Sequence, residues 1–230
     1  ATILQNVGDV DIDTAIGSIK TAVASFDKIG GYGHDQLDKK LEAYVDLINN
    51  MSNKYSIDAQ GLAESIRLSA GTLTEAHTTI EQAATMFATA NKYYNDPSYL
   101  GNTAKIGSLR MRASKGDKDA VSQLKDMGEE VDNLSGATSK LRDQLLSLTG
   151  VDIMKDDGKT FKSYYEQLKE IADVIDQLDD TSRANVLETL FGKNRAAGGA
   201  ALLSGMKESA GAYQDAINSA GSATQEYETW

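Results

Sequence analysis

Three features of this 230-residue chain predict an all-α fold. A single proline, Pro97, leaves almost the whole length free of the residue that interrupts helices. Ala, Leu, Lys and Glu, which lose little side-chain entropy in a helix, are abundant. Apolar residues also recur at spacings of three and four, the helical period, instead of two. With 20 glycines to punctuate it, the chain is expected to form multiple helices with heptad-like stripes, folded into helical hairpins and broken at glycine turns, with part of the chain extended.

The elements follow in order. Ile12, Ile16, Ile19, Val23 and Phe26 predict one narrow apolar stripe, and Leu37, Leu41, Tyr44, Ile48 and Met51 a second. The stretch GGYGHD between them, with three glycines, predicts the turn of a helical hairpin or coiled-coil-like segment over residues 1–54. Residues 55–230 form the second predicted region, also helical. Asp58 is the expected N-cap of a helix with the stripe Leu62, Ala63, Ile66 and Ala70, ending at Gly71. The next helix carries Ile80, Ala83, Ala84, Phe87 and Ala90. In NDPSY, Asp96 reads as N-cap and Pro97 as the first helical residue, where its missing N–H costs nothing.

Further on, Leu124, Met127, Val131, Leu134, Leu141, Leu145 and Leu148 nearly keep one heptad register, with Thr138 filling the gap. Gly128 and Gly136 predict a kink or break there, since each costs ~1 kcal/mol relative to Ala inside a helix. Phe161, Tyr164, Leu168, Ile171, Ile175 and Leu178 make the clearest amphipathic helix. Asp180, Thr181 and Ser182 offer caps for a helix through Leu190. The small residues of FGKNRAAGGAALLSG are expected to let two helix backbones approach closely, in preference to a membrane-active segment, and a last helix carries Tyr213, Ile217, Ala220 and Tyr227. Such narrow stripes are seams before they are cores, so self-association is expected.

Composition removes several function classes. A formal net charge of −11 argues against general nucleic-acid binding, which rewards a clustered positive surface. The absence of cysteine excludes a thiolate nucleophile and Cys-ligated zinc. No apolar run approaches the ~20 residues that span a bilayer, and no secretory signal opens the chain. The chain opens on Ala1 and stops at Trp230 inside a helical pattern, which predicts a fragment of something longer.

The stretch VDIMKDDGKTF resembles the end of a calcium loop and the end of a phosphate loop at once. With Gly158 as sixth residue of a calcium loop, positions one, three, five and twelve hold Ile153, Lys155, Asp157 and Tyr164, so a single ligand survives. A phosphate loop needs glycine where Ile153 stands. A turn at Asp157–Gly158 is the remaining reading. His77 with Glu81, and His34 with Asp38, have helix-face spacing but no two further ligands, and solvent-facing side chains are expected. The pairs Glu129–Glu130 and Asp179–Asp180 read as caps and solvated faces, because adjacent helical residues point apart. The one basic cluster, Lys105, Arg110, Arg112, Lys115 and Lys118, reads as a helix with solvated side chains in preference to a phosphate-binding patch. No catalytic, cofactor-binding or metal-binding residue is assigned, and no enzymatic activity or cofactor is expected.

Four blocks carry a resemblance, and their order is more specific than any one of them. They are YSIDAQGLAESIRLSAGTLTEAHTTIEQAATMFATAN, KIGSLRMRASKG, SKLRDQLLSLTGVDIMKDDGKTFKSYYEQLKEIADVIDQL and SRANVLETLFGKNRAAGGAALLS. Over roughly Tyr55 to Gly221 the chain resembles the core region of phage tail tape-measure proteins. The resemblance implies a structural tail protein of a bacteriophage or phage-tail-like particle. Such a protein lies in the tail lumen, sets tail length, docks at the tail tip and is released at DNA ejection. The partners implied are tail tube and tail-tip or baseplate proteins and tail assembly chaperones, with a homo-oligomer, a trimer being the named case. The location implied is the virion, in the tail lumen or tip, after synthesis in the bacterial host cytoplasm. Neither specific nucleic-acid binding nor a membrane span is expected of this segment. In that family the stretch from Val151 to Phe161 is a turn leading to a helix near Phe161. Two other classes stand beside this one: a free-standing helical adaptor or scaffold module, and a cell-wall hydrolase, which the lack of a catalytic constellation disfavours. As an unbroken helix the chain would reach roughly 350 Å, a plausible ruler. Pro97, Asp157–Gly158 and the small-residue run all change chain direction, so Asp58 to Leu203 is expected to be a folded docking unit.

Overall fold

In the computed structural model, residues 10–114, 116–131 and 140–228 are described. Helix starts follow the side chains able to accept the free N–H groups of a first turn. Asp11 accepts from the Thr14 N–H and opens α1 (Ile12–Ser25). Gly30 and Gly31, with φ of 58° and 84°, turn the chain, and a short 3-10 turn (His34–Gln36) leads into α2 (Leu37–Lys54). Asp58 caps α3 (Ala59–Glu75), and a reciprocal Thr79–Gln82 capping box opens α4 (Ile80–Ala90). Asp96 caps α5 (Pro97–Ala113) with Pro97 in the first turn, as expected, and Asp117 caps α6 (Lys118–Asp126). After α7 (Lys140–Thr149), Ser163 and Glu166 form a second capping box at α8 (Tyr164–Val174). Asp179, one residue ahead of the predicted caps, starts α9 (Asp180–Phe191). The chain ends in α10 (Ala196–Met206), α11 (Ser209–Ile217) and α12 (Ser222–Glu228). Among the described residues every regular element is helical and no β-sheet forms.

These helices fold back on one another around α4. The residues from Ala83 to Ala90 are all buried, and α4 is packed by α2, α3, α5, α8, α10 and α11. A helix enclosed on all sides must be apolar or internally satisfied. Four alanines, Met86 and Phe87 meet the first condition. Thr85 and Thr89 meet the second by donating their hydroxyls to the carbonyls of Glu81 and Thr85. Glycines on the neighbours permit close approach. A Cβ on Gly205 of α10 would stand 2.7 Å from the Ala90 nitrogen, and one on Gly101 of α5 would stand 2.9 Å from the Ser65 backbone. The predicted close packing of FGKNRAAGGAALLSG is therefore realised, with Gly198 against Thr103 and Gly199 against the Phe191 ring. The main core joins Tyr44, Ile48 and Met51 to Leu62, Ile66, Phe87, Leu168 and Leu202, crossing the position between residues 54 and 55.

The structure corrects several predicted faces. Ile12 and Ile16 are 47% and 37% exposed, while Ala15, Ser18 and Ala22 turn inward. A spacing of three and four fits both faces of α1, and its contact with α3 selects the smaller one. Leu37 is exposed as well, although Tyr44, Ile48 and Met51 are buried as expected. Gly71 does not end α3, which runs four residues further. The heptad register after Leu124 is not one seam. α6 stops before Gly128, whose φ is 73°; Leu124 and Val131 join a small cluster with Ile106 and Leu109, and Leu145 joins the main core. Leu134, Gly136, Thr138 and the Leu141 side chain lie outside the described residues. The single last helix is instead α11 and α12, divided at Gly221, with Ile217 and Ala220 exposed and Ala212 and Ala216 buried. The Tyr227 side chain lies outside the described residues.

Two glycines inside helices should respond oppositely to alanine. Gly205→Ala drives a methyl into the α4 backbone and should cost about 1–3 kcal/mol. Gly71→Ala meets nothing within 4 Å and should stabilise by up to ~1 kcal/mol. Urea unfolding should show the midpoints moving in opposite directions at unchanged slope.

Candidate interaction surface

The loop that joins Val151 to Phe161 is a hairpin tip. Met154 pairs with Phe161, the Lys155 N–H donates to the Thr160 carbonyl at 2.8 Å, and Gly158 turns with φ of 63°. The Asp157 carboxylate accepts from the N–H groups of Lys159 and Thr160, each at 2.8 Å, and from the Thr160 hydroxyl. Those bonds, that to the Thr160 hydroxyl first, hold the Asp157 carboxyl down at about 2. Its oxygens are committed to the turn, and α8 begins at Tyr164, three residues after Phe161.

The histidine pairs do not share helix faces. His77 sits at φ 56° in the turn before α4, while Glu81 accepts the Gly30 N–H at 2.9 Å. His34 lies in the 3-10 turn, its Nδ1 3.4 Å from Nζ of Lys40. Lys40 is buried and donates to the carbonyls of Val23 and Phe26, closing the end of α1. Among the described residues no cluster of three or more His, Asp or Glu is arranged to hold a metal. Glu129 pairs with Arg195 and Asp179 caps α9, so these carboxylates serve the fold.

The basic cluster also departs from the solvated helix expected. Arg110 is only 9% exposed; its Nε donates to the Thr189 carbonyl at 3.0 Å and Nη1 to the Glu130 carbonyl at 3.4 Å. Burial pulls its guanidinium below the ordinary range, against the pull of Glu129 and Glu188. Arg112 is clamped between Glu75 and Asp117. Lys105 is half-buried, Lys118 is exposed and Lys115 lies outside the described residues. The arginines therefore fasten α5 to α9 and to the ends of α3 and α6. Carbonyls and carboxylates from other elements, invisible to local spacing, decide this.

Two of the exposed features are candidate contact surfaces. The first is a tyrosine ledge at the α4–α5 turn. Tyr93 is 45% exposed and its hydroxyl donates to Glu208, which also takes Lys92 at 2.9 Å. Tyr94 stacks against Tyr99 with ring centroids 4.9 Å apart, and the Tyr99 hydroxyl donates to the Asn194 carbonyl at 2.7 Å. Pre-positioned tyrosines with apolar faces are the side chains that protein interfaces favour. Sequence reasoning used this stretch only for its helix start; its three tyrosines in KYYNDPSY were the available signal. The second feature is the Ile12–Ile16 ridge, beside an open groove of about 400 Å³ lined by Asp13, Thr14, Gly17, Gln60, Glu64 and Arg67. A smaller cleft of about 160 Å³ lies beside the Arg112 clamp.

Acid should erode this fold. Asp176 is held below 3.8 chiefly by Lys207, Asp215 chiefly by Lys54 and then Tyr55, and Asp157 at about 2. A depressed folded pKa contributes stability that is present above the unfolded value and lost as pH falls through the folded one. Thermal melts should be level above about pH 5 and fall between about pH 4 and 2. Asp215→Asn should flatten part of that fall.

A family model described as phage-related minor tail protein matches residues 3–192. No curated protein and no solved structure gives a match. The matched span ends just after α9, whereas α10 supplies Gly205, which brings it close against Thr89 and Ala90 of α4.

Proposed function

This chain belongs to the family of phage-related minor tail proteins, and on that premise we propose that it is the folded docking part of a tape measure in a bacteriophage or phage-tail-like particle. The observation that carries the docking role is the mutual packing of every described helix on others around α4. A segment that only measures gains length from an extended helix, at ~1.5 Å per residue. A segment that turns at Gly30, Pro97, Gly158 and Gly192 instead gives up length for a body with fixed surfaces.

In this reading the chain acts by binding, without catalysis or cofactor. The tyrosine ledge meets the tail-tip or baseplate protein, and the Ile12–Ile16 ridge supplies the homo-oligomer contact, whether or not that oligomer is a trimer. Tail tube proteins and assembly chaperones complete the partner set. The protein resides in the virion, at the tail tip or in the lumen, and departs when DNA is ejected. The tape-measure resemblance of the ordered blocks between Tyr55 and Gly221 supports the specific role over that of a free-standing adaptor.

Electron microscopy of particles with one heptad removed from α2, within Leu37 to Met51, tests the proposal. A ruler shortens by about 10 Å for seven residues. Because Tyr44, Ile48 and Met51 are core residues, the docking body should instead leave tail length unchanged or stop assembly. Proportionate shortening contradicts the docking role.

A further inference from the structure

The last helix is fastened to the fold by one polar face of α2. α12 is seven residues long, too short to stay helical without tertiary support. Its free N-terminal amides are capped from across the molecule: the Asp46 carboxylate accepts from the Gly221 N–H at 2.7 Å and the Ala223 N–H at 3.0 Å. The Ser222 hydroxyl donates to the Asp46 carbonyl at 2.9 Å and accepts from Nδ2 of Asn49 at 3.2 Å. Asn53 donates to Glu226 at 2.6 Å. Among the described side chains of α12, Ala223 alone is buried. Gly221, at φ 81° and with open space around it, joins this helix to the rest.

The neighbouring elements are held differently. α11 packs Ala212 and Ala216 inward against the core, and its Asp215 takes Lys54 and the Tyr55 hydroxyl. α10 buries Leu202, Leu203 and Met206. Opening α10 exposes a large apolar area, whereas opening α12 exposes one described alanine and a row of groups that water can satisfy. Local opening free energies follow that difference.

We propose that α12 is a releasable strap: it leaves α2 as a unit, pivoting at Gly221, while α1 to α11 stay folded, with Asp46 as the pin. Closed, it covers Asp46 and Asn49, while Asn53 stays exposed even though it bonds to Glu226. Open, it leaves Asp46 and Asn49 bare on α2.

Hydrogen exchange of the full chain, followed by mass spectrometry, tests this. Amides of α12 should exchange about 100-fold faster than those from Met86 to Ala90 in α4. Asp46→Ala should speed α12 a further fivefold to tenfold, roughly the effect of losing a helix cap, and leave α4 unchanged. Ser222→Ala, made on the strap itself, should act in the same direction by about threefold. Protection of α12 equal to that of α4, or an equal acceleration of both helices by Asp46→Ala, overturns the proposal. If Asp46→Ala does not fold, Ser222→Ala decides on the same two criteria.

Discussion

Enclosing α4 on every side is the constraint from which the rest of the structure follows. From Ala83 on, α4 has no face for a long polar side chain; Glu81 and Gln82 lie in its half-buried first turn. The enclosed part is accordingly Ala83, Ala84, Ala88 and Ala90, with Met86 and Phe87 and two threonines whose hydroxyls are returned to its own carbonyls. Small side chains on the enclosed helix then require close neighbours, because a gap of even half an ångström forfeits dispersion contacts. Gly205 on α10 meets that requirement directly against Ala90, and Gly101 lets α5 approach α3 in the same manner. Larger residues, Phe87, Leu168, Leu202 and Phe191, fill the spaces between these approaches.

Local signals made much of this legible from the sequence. Asp58, Asp96 and Pro97 stand where a helix start needs them, and capping depends only on residues a few places apart. The turn at Asp157–Gly158 and the close packing of the small-residue run were also legible, since each rests on what glycine permits. Which face of a helix turns inward was not. On α1 the predicted stripe is half realised: Ile19, Val23 and Phe26 pack on the core, but Ile12 and Ile16 face out, and contact with α3 turns Ala15, Ser18 and Ala22 inward instead. Arg110 was misjudged for a related reason: its acceptors, Thr189 and Glu130, are 79 and 20 residues away. The tyrosine ledge was missed because exposed aromatics have no period to detect.

Family membership and architecture bear on function in different ways. The family match assigns the chain to phage tails, and its span stops at residue 192. The physical unit does not stop there, since α10 and α11 both pack on α4 and α12 is bound to α2. A body organised around one buried helix holds its surfaces in fixed relation, the property on which the proposed docking role rests. Its exposed Tyr93 and Ile12 remain on the outside of that body, where a second protein can meet them.

Differential scanning calorimetry of the intact chain tests most directly whether α4 organises a single cooperative body. Tyr44, Ile48 and Met51 share one core with Phe87 and Leu202, so one transition should appear, with calorimetric and van't Hoff enthalpies equal. Two resolved transitions, the first confined to the helices before residue 55, would contradict the account. They would mean that the N-terminal pair is an independent segment leaning on a separate helical body.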